Sequence, residues 1–178
     1  MLGTASYLRS APRGTVIISM SDRYWFEDFP GTPLPSGTSK AVREATERTL
    51  VTDIEGVVNT LQGAGQKVLL LQPTPKWHGS YPFNPDQCTV LSITRGHCVQ
   101  EMPRSWAESQ QTILRDAITA AATTTGASVL DSWDMLCSDS ACSTQGPDFV
   151  RYRDDTHISV PQARLLSQAM ADAVSAAD

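Results

Sequence analysis

The chain has 178 residues and a formal net charge of −5, which is long enough for one domain with a substantial core and short for two. Its 14 Lys and Arg residues form no basic cluster, so the charge pattern excludes a nucleic-acid footprint and attraction to an anionic membrane surface. The sequence therefore predicts a single domain over residues 1–178 whose ligand is a small molecule or a glycan.

The first half of the chain predicts two strands around one long helix. The run from Gly14 to Ser19, "GTVIIS", is β-branched and predicts a buried strand. A helical apolar periodicity begins at Ser39 and stops at Gly63. Its apolar positions are Val42, Leu50, Ile54, Val57, Val58 and Leu61. The run "KVLLLQ", Lys67 to Gln72, is continuously apolar and predicts a strand covered on both faces.

The second half begins with a long irregular segment, Pro73 to Pro103, and then predicts two more helices and a strand. "SWAE", Ser105 to Glu108, is a capping box that opens a helix ending at Gly126. "ASVLD" follows as a strand, and "SVPQ", Ser159 to Gln162, is a second capping box before the last helix. The last helix is expected to turn inward Leu165, Leu166, Ala169, Met170, Ala173 and Val174.

Strands and helices alternate along the chain, which is typical of parallel crossovers in a layered α/β sheet. Three strands are few for this architecture, because an unpaired strand edge is left open. The sheet is therefore expected to lack one or more strands on its N-terminal side.

The four cysteines fall into two close pairs, Cys88 with Cys98 and Cys137 with Cys142. Each pair brackets one loop, which favours two local disulfides and hence an oxidising compartment. Zinc is the rival use, but the chain has no C-x-x-C, and the spacings fit a structural zinc site poorly. Plain free thiols are the remaining alternative.

The N-terminal stretch "MLGTASYLRSAPRG" has no apolar region of the kind that a signal peptide carries, and the chain has no run long enough for a membrane span. The sequence alone thus reads as a soluble cytosolic chain, which disagrees with the predicted disulfides. This disagreement predicts that an export signal lies upstream of Met1.

The segment "YRDDTHIS", Tyr152 to Ser159, carries the candidate chemistry. It precedes the last helix and follows the third strand, so it is expected at the carboxyl end of the sheet, where α/β sites lie. Asp154 stands three residues before His157 and could orient its Nδ1, as acyl-transfer sites require. Asp155 is a poorer partner at its spacing, and an ordinary surface loop is the plain alternative.

The end of the chain resembles the SGNH hydrolase-like domain attached to family 3 membrane acyltransferases, which O-acylate cell-envelope glycans. In that family a close cysteine pair precedes a Tyr-x-Asp-x-x-His-Leu-Ser type segment. The matching residues here are Cys137, Cys142, Tyr152, Asp154, His157, Ile158 and Ser159. The resemblance, which runs from about Val16 to the end of the chain, implies that His157 and Asp154 are catalytic, and it supports the pairing of Cys137 with Cys142.

Two motifs depart from the family pattern. General SGNH hydrolases end the first strand of this region in G-x-N-D, whose Asn binds the oxyanion, whereas Ser21 stands at that position here. Ser21 is therefore the candidate oxyanion donor, with Arg23 or Tyr24 as alternatives. No G-D-S or G-x-S-x-G block occurs, so the nucleophilic serine is expected before Met1. Ser80 and Ser21 are the local alternatives, and neither has a recognisable nucleophile elbow.

Other conspicuous side chains have simpler interpretations. His78 and His97 are expected to face solvent. Trp106 and Trp133 occupy core-facing helical or loop positions. Trp25 and Trp77 could be either core residues or a sugar-stacking rim.

The resemblance implies a three-layer α/β/α, flavodoxin-like SGNH fold and an O-acyltransferase or esterase that uses a Ser-His-Asp mechanism without metal or other cofactor. It also implies a membrane acyltransferase domain as partner, an envelope polysaccharide or glycolipid as acceptor, and placement on the extracytoplasmic face of the membrane. Without the serine, this chain alone is expected to be inactive. The rival hypothesis is a non-catalytic SGNH remnant or a glycan-binding module.

Overall fold

The structure is a computed structural model, and it describes residues 7, 10–21, 39–95 and 98–177. The strands of this part are β1 (Thr15–Ser19), β2 (Lys67–Leu71), β3 (Glu101–Pro103), β4 (Ser128–Leu130) and β5 (Ala141–Ser143). The α-helices are α1 (Lys40–Gly63), α2 (Val90–Thr94), α3 (Arg104–Thr125) and α4 (Val160–Ala177), and the 3-10 helices are Pro85–Gln87 and Trp133–Met135.

The main sheet has the order β1-β2-β4 with both pairings parallel. Val16 lies opposite Val68, and Leu70 lies opposite Val129. The parallel α/β sheet that the sequence predicts is thus confirmed. The prediction that the first strand is buried is wrong for the face that carries Ile17, which is 41% exposed. Strand β1 also lies at the end of this strand order.

Helix α1 forms where the periodicity predicts it. The Ser39 hydroxyl caps the helix by accepting from the Val42 N–H, and the chain leaves the helix through Gly65 at a φ of 82°, a conformation that glycine adopts without a Cβ penalty. Leu50, Ile54, Val58 and Leu61 are buried as predicted. Val42 and Val57 are instead about half exposed, because the buried stripe is narrower than the apolar pattern.

A second, antiparallel sheet, which the sequence does not predict, pairs β3 with β5. Thr144 is fully buried beside this pair and fixes it, since its hydroxyl accepts from the Gln100 N–H at 2.9 Å and its own N–H donates to the Gln100 carbonyl at 3.0 Å. The segment predicted to be irregular therefore holds α2 and β3 as well as a 3-10 helix.

The two predicted capping boxes have different outcomes. Ser159 caps α4 as predicted, since the Gln162 N–H lies 3.4 Å from its hydroxyl. The Ser159 N–H, which a full capping box would pair with the Gln162 side chain, donates instead to the Arg151 carbonyl at 2.7 Å. Helix α3 instead begins at Arg104, so Ser105 lies inside it. Arg104 is held at the start of the helix, because its backbone N–H donates to the Ser140 carbonyl and its guanidinium binds Glu108, both at 2.9 Å. The inward position predicted for Leu165 is also wrong, since it is 50% exposed.

The chain groups into two compact units, and each has its own core. The first unit runs to Pro73 and includes Gln111–Asp131 and the stretch from Asp172. Its buried side chains are Leu50, Ile54, Val58, Leu61, Val68, Leu70, Leu114, Ala117, Ile118, Ala121 and Ala122. The second unit comprises Thr74–Gln110 and Ser132–Ala171. Its buried side chains are Trp77, Phe83, Met102, Ala107, Trp133, Leu136, Cys137, Cys142 and Tyr152. The single domain predicted from the length stays a prediction.

Candidate active site

The segment that carries the predicted site folds as a narrow loop in the second unit. Tyr152 and Ile158 form an antiparallel bridge, and the Arg153 N–H donates to the His157 carbonyl at 2.8 Å. These contacts close the loop on itself just before the Ser159 cap of α4. The side chains between the two ends are therefore held on a short, constrained backbone.

Asp154 and His157 are in direct contact within this loop. Both carboxylate oxygens of Asp154 lie 2.9 Å from Nδ1 of His157. Oδ1 also accepts the backbone N–H groups of Thr156, at 2.9 Å, and His157, at 2.7 Å. An ionised carboxylate in this position assigns the proton to Nδ1 and leaves Nε2 as the basic nitrogen of the neutral ring.

The surroundings of Asp154 favour its charged form. Its partial burial raises the pKa of the carboxyl group, but the N–H groups of Thr156 and His157 and the imidazole outweigh that effect and hold the pKa far below the usual 3.8. Arg153 adds a weak contact, with Nη2 at 3.6 Å from Oδ2. Asp154 is thus ionised throughout the physiological pH range, while the His157 side chain stays 65% exposed and accessible to a substrate.

A buried aromatic group supports the loop. The backbone N–H of Trp77 donates to the Asp155 carbonyl at 2.7 Å, and the Trp77 and Tyr152 rings meet edge to face at 5.6 Å. Phe83 packs against Trp77 at 6.2 Å. Trp77 is fully buried, so of the two interpretations of this residue the core position is right.

A cavity of about 370 Å³ lies beside the loop and is lined by residues of the second unit. One wall is the segment from Trp77 to Asp86, and the other is formed by Arg153, Asp154 and Asp155. The sequence does not predict this cavity, because its two walls are far apart in the chain and no motif spans both. His78 lies in its wall and is half-buried, so the expectation that His78 faces solvent is wrong.

The remaining predicted residues lie elsewhere. Ser21 follows β1 in the first unit, and its role as oxyanion donor stays a prediction. Arg23, Tyr24, Trp25 and His97 lie outside the described residues. Ser80 is exposed on a turn after Gly79. Trp133 is fully buried, as predicted, and Trp106 is half-buried against the core of the second unit.

Both predicted disulfides are present. Cys88 is bonded to Cys98, and Cys137 is bonded to Cys142. The second bond belongs to the buried core that also contains Tyr152, whereas the first lies at the partly exposed margin of that core. The zinc and free-thiol alternatives are therefore wrong for these four residues.

The fold and the loop define a class of protein, namely an α/β domain with a parallel sheet and an Asp-x-x-His pair of the kind that Ser-His-Asp hydrolases use. The chain belongs to a particular family of this class. Residues 4–172 match the family described as the SGNH domain (fused to AT3 domains). This match confirms the resemblance to the SGNH domain of family 3 membrane acyltransferases.

A solved structure has the same fold. It is the periplasmic domain of the lipopolysaccharide acetyltransferase of Salmonella ser. Paratyphi A, with a TM-score of 0.59 and 12% sequence identity. The match covers 96% of this chain and spans 60% of that domain. At this identity the likeness establishes the fold alone.

Two further findings concern curated proteins and membrane-spanning helices. A search of curated proteins found no match to the chain. Within the described ranges, no helix has both the length and the apolar character needed to cross a membrane.

Proposed function

We propose that this chain supplies the acid–base half of an O-acyltransferase or esterase site that acts on acyl groups of cell-envelope glycans. The observation that carries the proposal is the contact of both Asp154 oxygens with Nδ1 of His157, at 2.9 Å. This arrangement fixes the tautomer whose Nε2 can accept a proton. Family membership supports the acyl-transfer chemistry.

In the proposed reaction, Nε2 of His157 takes the proton of a serine hydroxyl as the serine oxygen bonds to the acyl carbon. The departing alkoxide then takes that proton from the imidazolium. In the second half, a glycan hydroxyl or water gives its proton to Nε2 and attacks the acyl-serine, and the departing serine oxygen then takes that proton from the imidazolium. Asp154 stays ionised and stabilises the imidazolium in both halves.

The serine in this proposal comes from outside these 178 residues. The sequence contains neither G-D-S nor G-x-S-x-G, and the solved domain of the same fold has chain beyond the part that this sequence covers. Ser21 is the proposed oxyanion donor, because it occupies the position of the family's Asn after the first strand.

We further propose that the site works on the extracytoplasmic side of a membrane, together with a membrane acyltransferase domain. The family is one whose SGNH domains are fused to AT3 domains, and the solved neighbour is periplasmic. Two disulfides suit an oxidising compartment. The proposed acceptor is an envelope polysaccharide or glycolipid.

The test begins with the reading frame upstream of Met1, where the enzyme hypothesis requires a strand ending in G-D-S. The protein that includes this block is then assayed on p-nitrophenyl acetate and on an acetylated glycan. His157→Ala should lower kcat by about a millionfold, as removal of the base does in serine proteases. Asp148→Asn, a change of an exposed carboxylate in the same unit, is the matched control and should retain activity.

A non-catalytic remnant or glycan-binding module is the alternative from a different class. It requires that the upstream frame lack the serine block and that the purified protein bind glycan without turning over any ester. Ester hydrolysis that is unchanged by His157→Ala would also contradict the enzyme hypothesis.

A further inference from the structure

The cavity beside the Asp154 loop is lined by a histidine, His78, whose ring is held in place by other aromatic rings. The His78 ring lies 5.5 Å from the Trp106 ring, which in turn meets the Tyr81 ring edge to face at 4.8 Å. Both supporting rings are half-buried and pack against the core of the second unit. The His78 ring therefore stands as a fixed part of the cavity wall.

His78 is electrically neutral at physiological pH. Burial lowers the pKa of this imidazole, Lys76 lowers it further, and Asp155 raises it in part. A neutral imidazole has one N–H donor and one nitrogen acceptor, which is the pairing that a sugar hydroxyl also offers. The residue thus suits a hydroxyl ligand better than a charged one.

The other polar groups of the cavity are mainly hydrogen-bond acceptors. The lining contains the carboxylates of Asp86, Asp154 and Asp155 and the amide of Asn84, against the single guanidinium of Arg153. Among the described residues, no three His, Cys, Asp or Glu side chains are grouped so that they could hold a metal ion. The carboxylates of Asp86 and Asp155 can accept hydrogen bonds from ligand hydroxyl groups, whereas the carboxylate of Asp154 already accepts from Thr156 and His157.

We propose that this cavity is a subsite for one uncharged sugar unit of the acceptor glycan and that His78 hydrogen-bonds a hydroxyl of that unit. The claim that this sugar belongs to the acceptor glycan rests on the proposed function, whereas the claim that the cavity binds a sugar does not. The cavity volume of about 370 Å³ lies within the range of small-ligand pockets. Asp154 lines the cavity and also contacts Nδ1 of His157, so a sugar bound here would lie next to the residue that orients the proposed base.

The charge of the lining gives the subsite a direction of selectivity. Three acidic residues and one guanidinium line the cavity, and that guanidinium already lies 3.6 Å from Asp154 Oδ2, while Lys76, outside the lining, interacts with Asp155. A uronic acid or a phosphorylated sugar would add a negative charge to this wall, where like charges repel. The subsite should therefore prefer neutral hexoses to their anionic counterparts.

The test is a binding titration of the protein, followed by side-chain NMR of its three histidines. The probes are methyl glucoside, methyl galactoside and methyl mannoside, with methyl glucuronide as the anionic counterpart. At least one neutral glycoside should shift the His78 ring resonances, with a dissociation constant on the order of millimolar. Methyl glucuronide should bind about tenfold more weakly or worse.

Three variants keep the test independent of folding problems. His78→Phe retains a ring beside Trp106 but removes both nitrogens, and it should weaken sugar binding about tenfold. Asp86→Ala changes an exposed carboxylate of the same wall and should weaken binding severalfold. His157→Ala should bind the sugar normally even though it removes the proposed base, so failure of the subsite and failure of the catalytic proposal are distinguishable.

Three outcomes would overturn the inference. The first is the absence of any His78 shift with every neutral glycoside. The second is equal binding of methyl glucuronide and methyl glucoside. The third is undiminished sugar binding in a folded His78→Phe protein, because the hydroxyl would then have another partner.

Discussion

The indole ring of Trp77 meets the phenol ring of Tyr152 edge to face, with centroids 5.6 Å apart and an interplanar angle of 77°. Tyr152 begins the loop that carries Asp154 and His157, and the backbone N–H of Trp77 holds the middle of the same loop through the Asp155 carbonyl. One buried residue therefore supports the loop at two points. The geometry of the Asp154–His157 pair depends on this support.

Removal of the Trp77 ring should affect stability and activity together. Trp77→Ala should cost about 3–5 kcal/mol of unfolding free energy, as for other buried aromatic truncations, and Trp77→Phe should cost less because a ring remains for Tyr152. The displaced loop should also lower kcat by up to about a hundredfold in the active protein. Urea unfolding and ester hydrolysis measure the two effects.

Trp133→Phe is the matched control, since Trp133 is fully buried in the same core. It should destabilise the protein with a smaller loss of kcat. If the two Phe variants lose activity equally at equal stability, Trp77 has no special part in positioning the loop.

Asp154→Asn should impair catalysis severely without displacing the loop. The amide oxygen can still accept the N–H groups of Thr156 and His157, but an amide can neither stabilise the imidazolium nor enforce the correct tautomer. We expect kcat to fall by about 10⁴-fold, as in serine proteases. Steady-state kinetics of the serine-containing protein test this prediction, with Asp148→Asn as the control. Similar kcat values for Asp154→Asn and Asp148→Asn would refute the role of Asp154.

Asp154 should also contribute to stability in a pH-dependent way. Its pKa in the folded protein lies below the usual 3.8, so the unfolded chain binds this proton more readily than the folded one. The contribution is therefore fully present above about pH 5 and is lost as the pH falls through the usual value toward the folded pKa. Stability curves from pH 7 to pH 2 should show a smaller acid loss for Asp154→Asn than for the unaltered protein. An unchanged acid limb would contradict the depressed pKa.

The two disulfides should differ in what their removal costs. Cys137→Ala with Cys142→Ala removes side chains from a buried core, whereas Cys88 and Cys98 are partly exposed. Because its loop is longer, the Cys88–Cys98 bond should stabilise the folded protein through chain entropy by only about 0.6 kcal/mol more than the other bond. Burial should outweigh that difference. Removal of the Cys137–Cys142 bond should therefore cost more unfolding free energy, within the usual ~2–4 kcal/mol. Denaturant unfolding of the two double variants tests this order.

The 178-residue chain by itself should be inactive on acetyl esters, because an imidazole without a positioned serine has no nucleophile to activate. Its rate on p-nitrophenyl acetate should equal that of its His157→Ala variant. Cleavage by the chain alone that depends on His157 would show that a serine within these residues, such as Ser21 or Ser80, is the nucleophile.

The parts of this structure that the sequence predicts are those with local signals. Helix α1 has a cap at Ser39 and a stop at Gly63, and β2 is a continuous apolar run. The Asp154–His157 contact was predicted because its two residues stand three apart in one loop. In each case the determining residues are close together in the chain.

The parts that escaped prediction depend on distant pairings. Strands β3 and β5 have three residues each, too few to show a periodicity, and their partners are about forty residues apart. The cavity walls come from Trp77 to Asp86 and from Arg153 to Asp155. The backbone N–H of Arg104 donates to the Ser140 carbonyl and its guanidinium binds Asp134, and these distant contacts hold the start of α3 one residue before Ser105.

The short loop around Asp154 and His157 also bears on the order in which this protein folds. The contact between these residues closes only three residues of chain, whereas the pairing of Val16 with Val68 must close more than fifty. Contacts of low sequence separation cost little chain entropy and form early, while distant parallel strands pair late. The Asp154–His157 contact should therefore form before the main sheet and persist in partly folded states in which that sheet is lost. In hydrogen exchange, the amides of Thr156 and His157 would then be protected when those of β1 are already open.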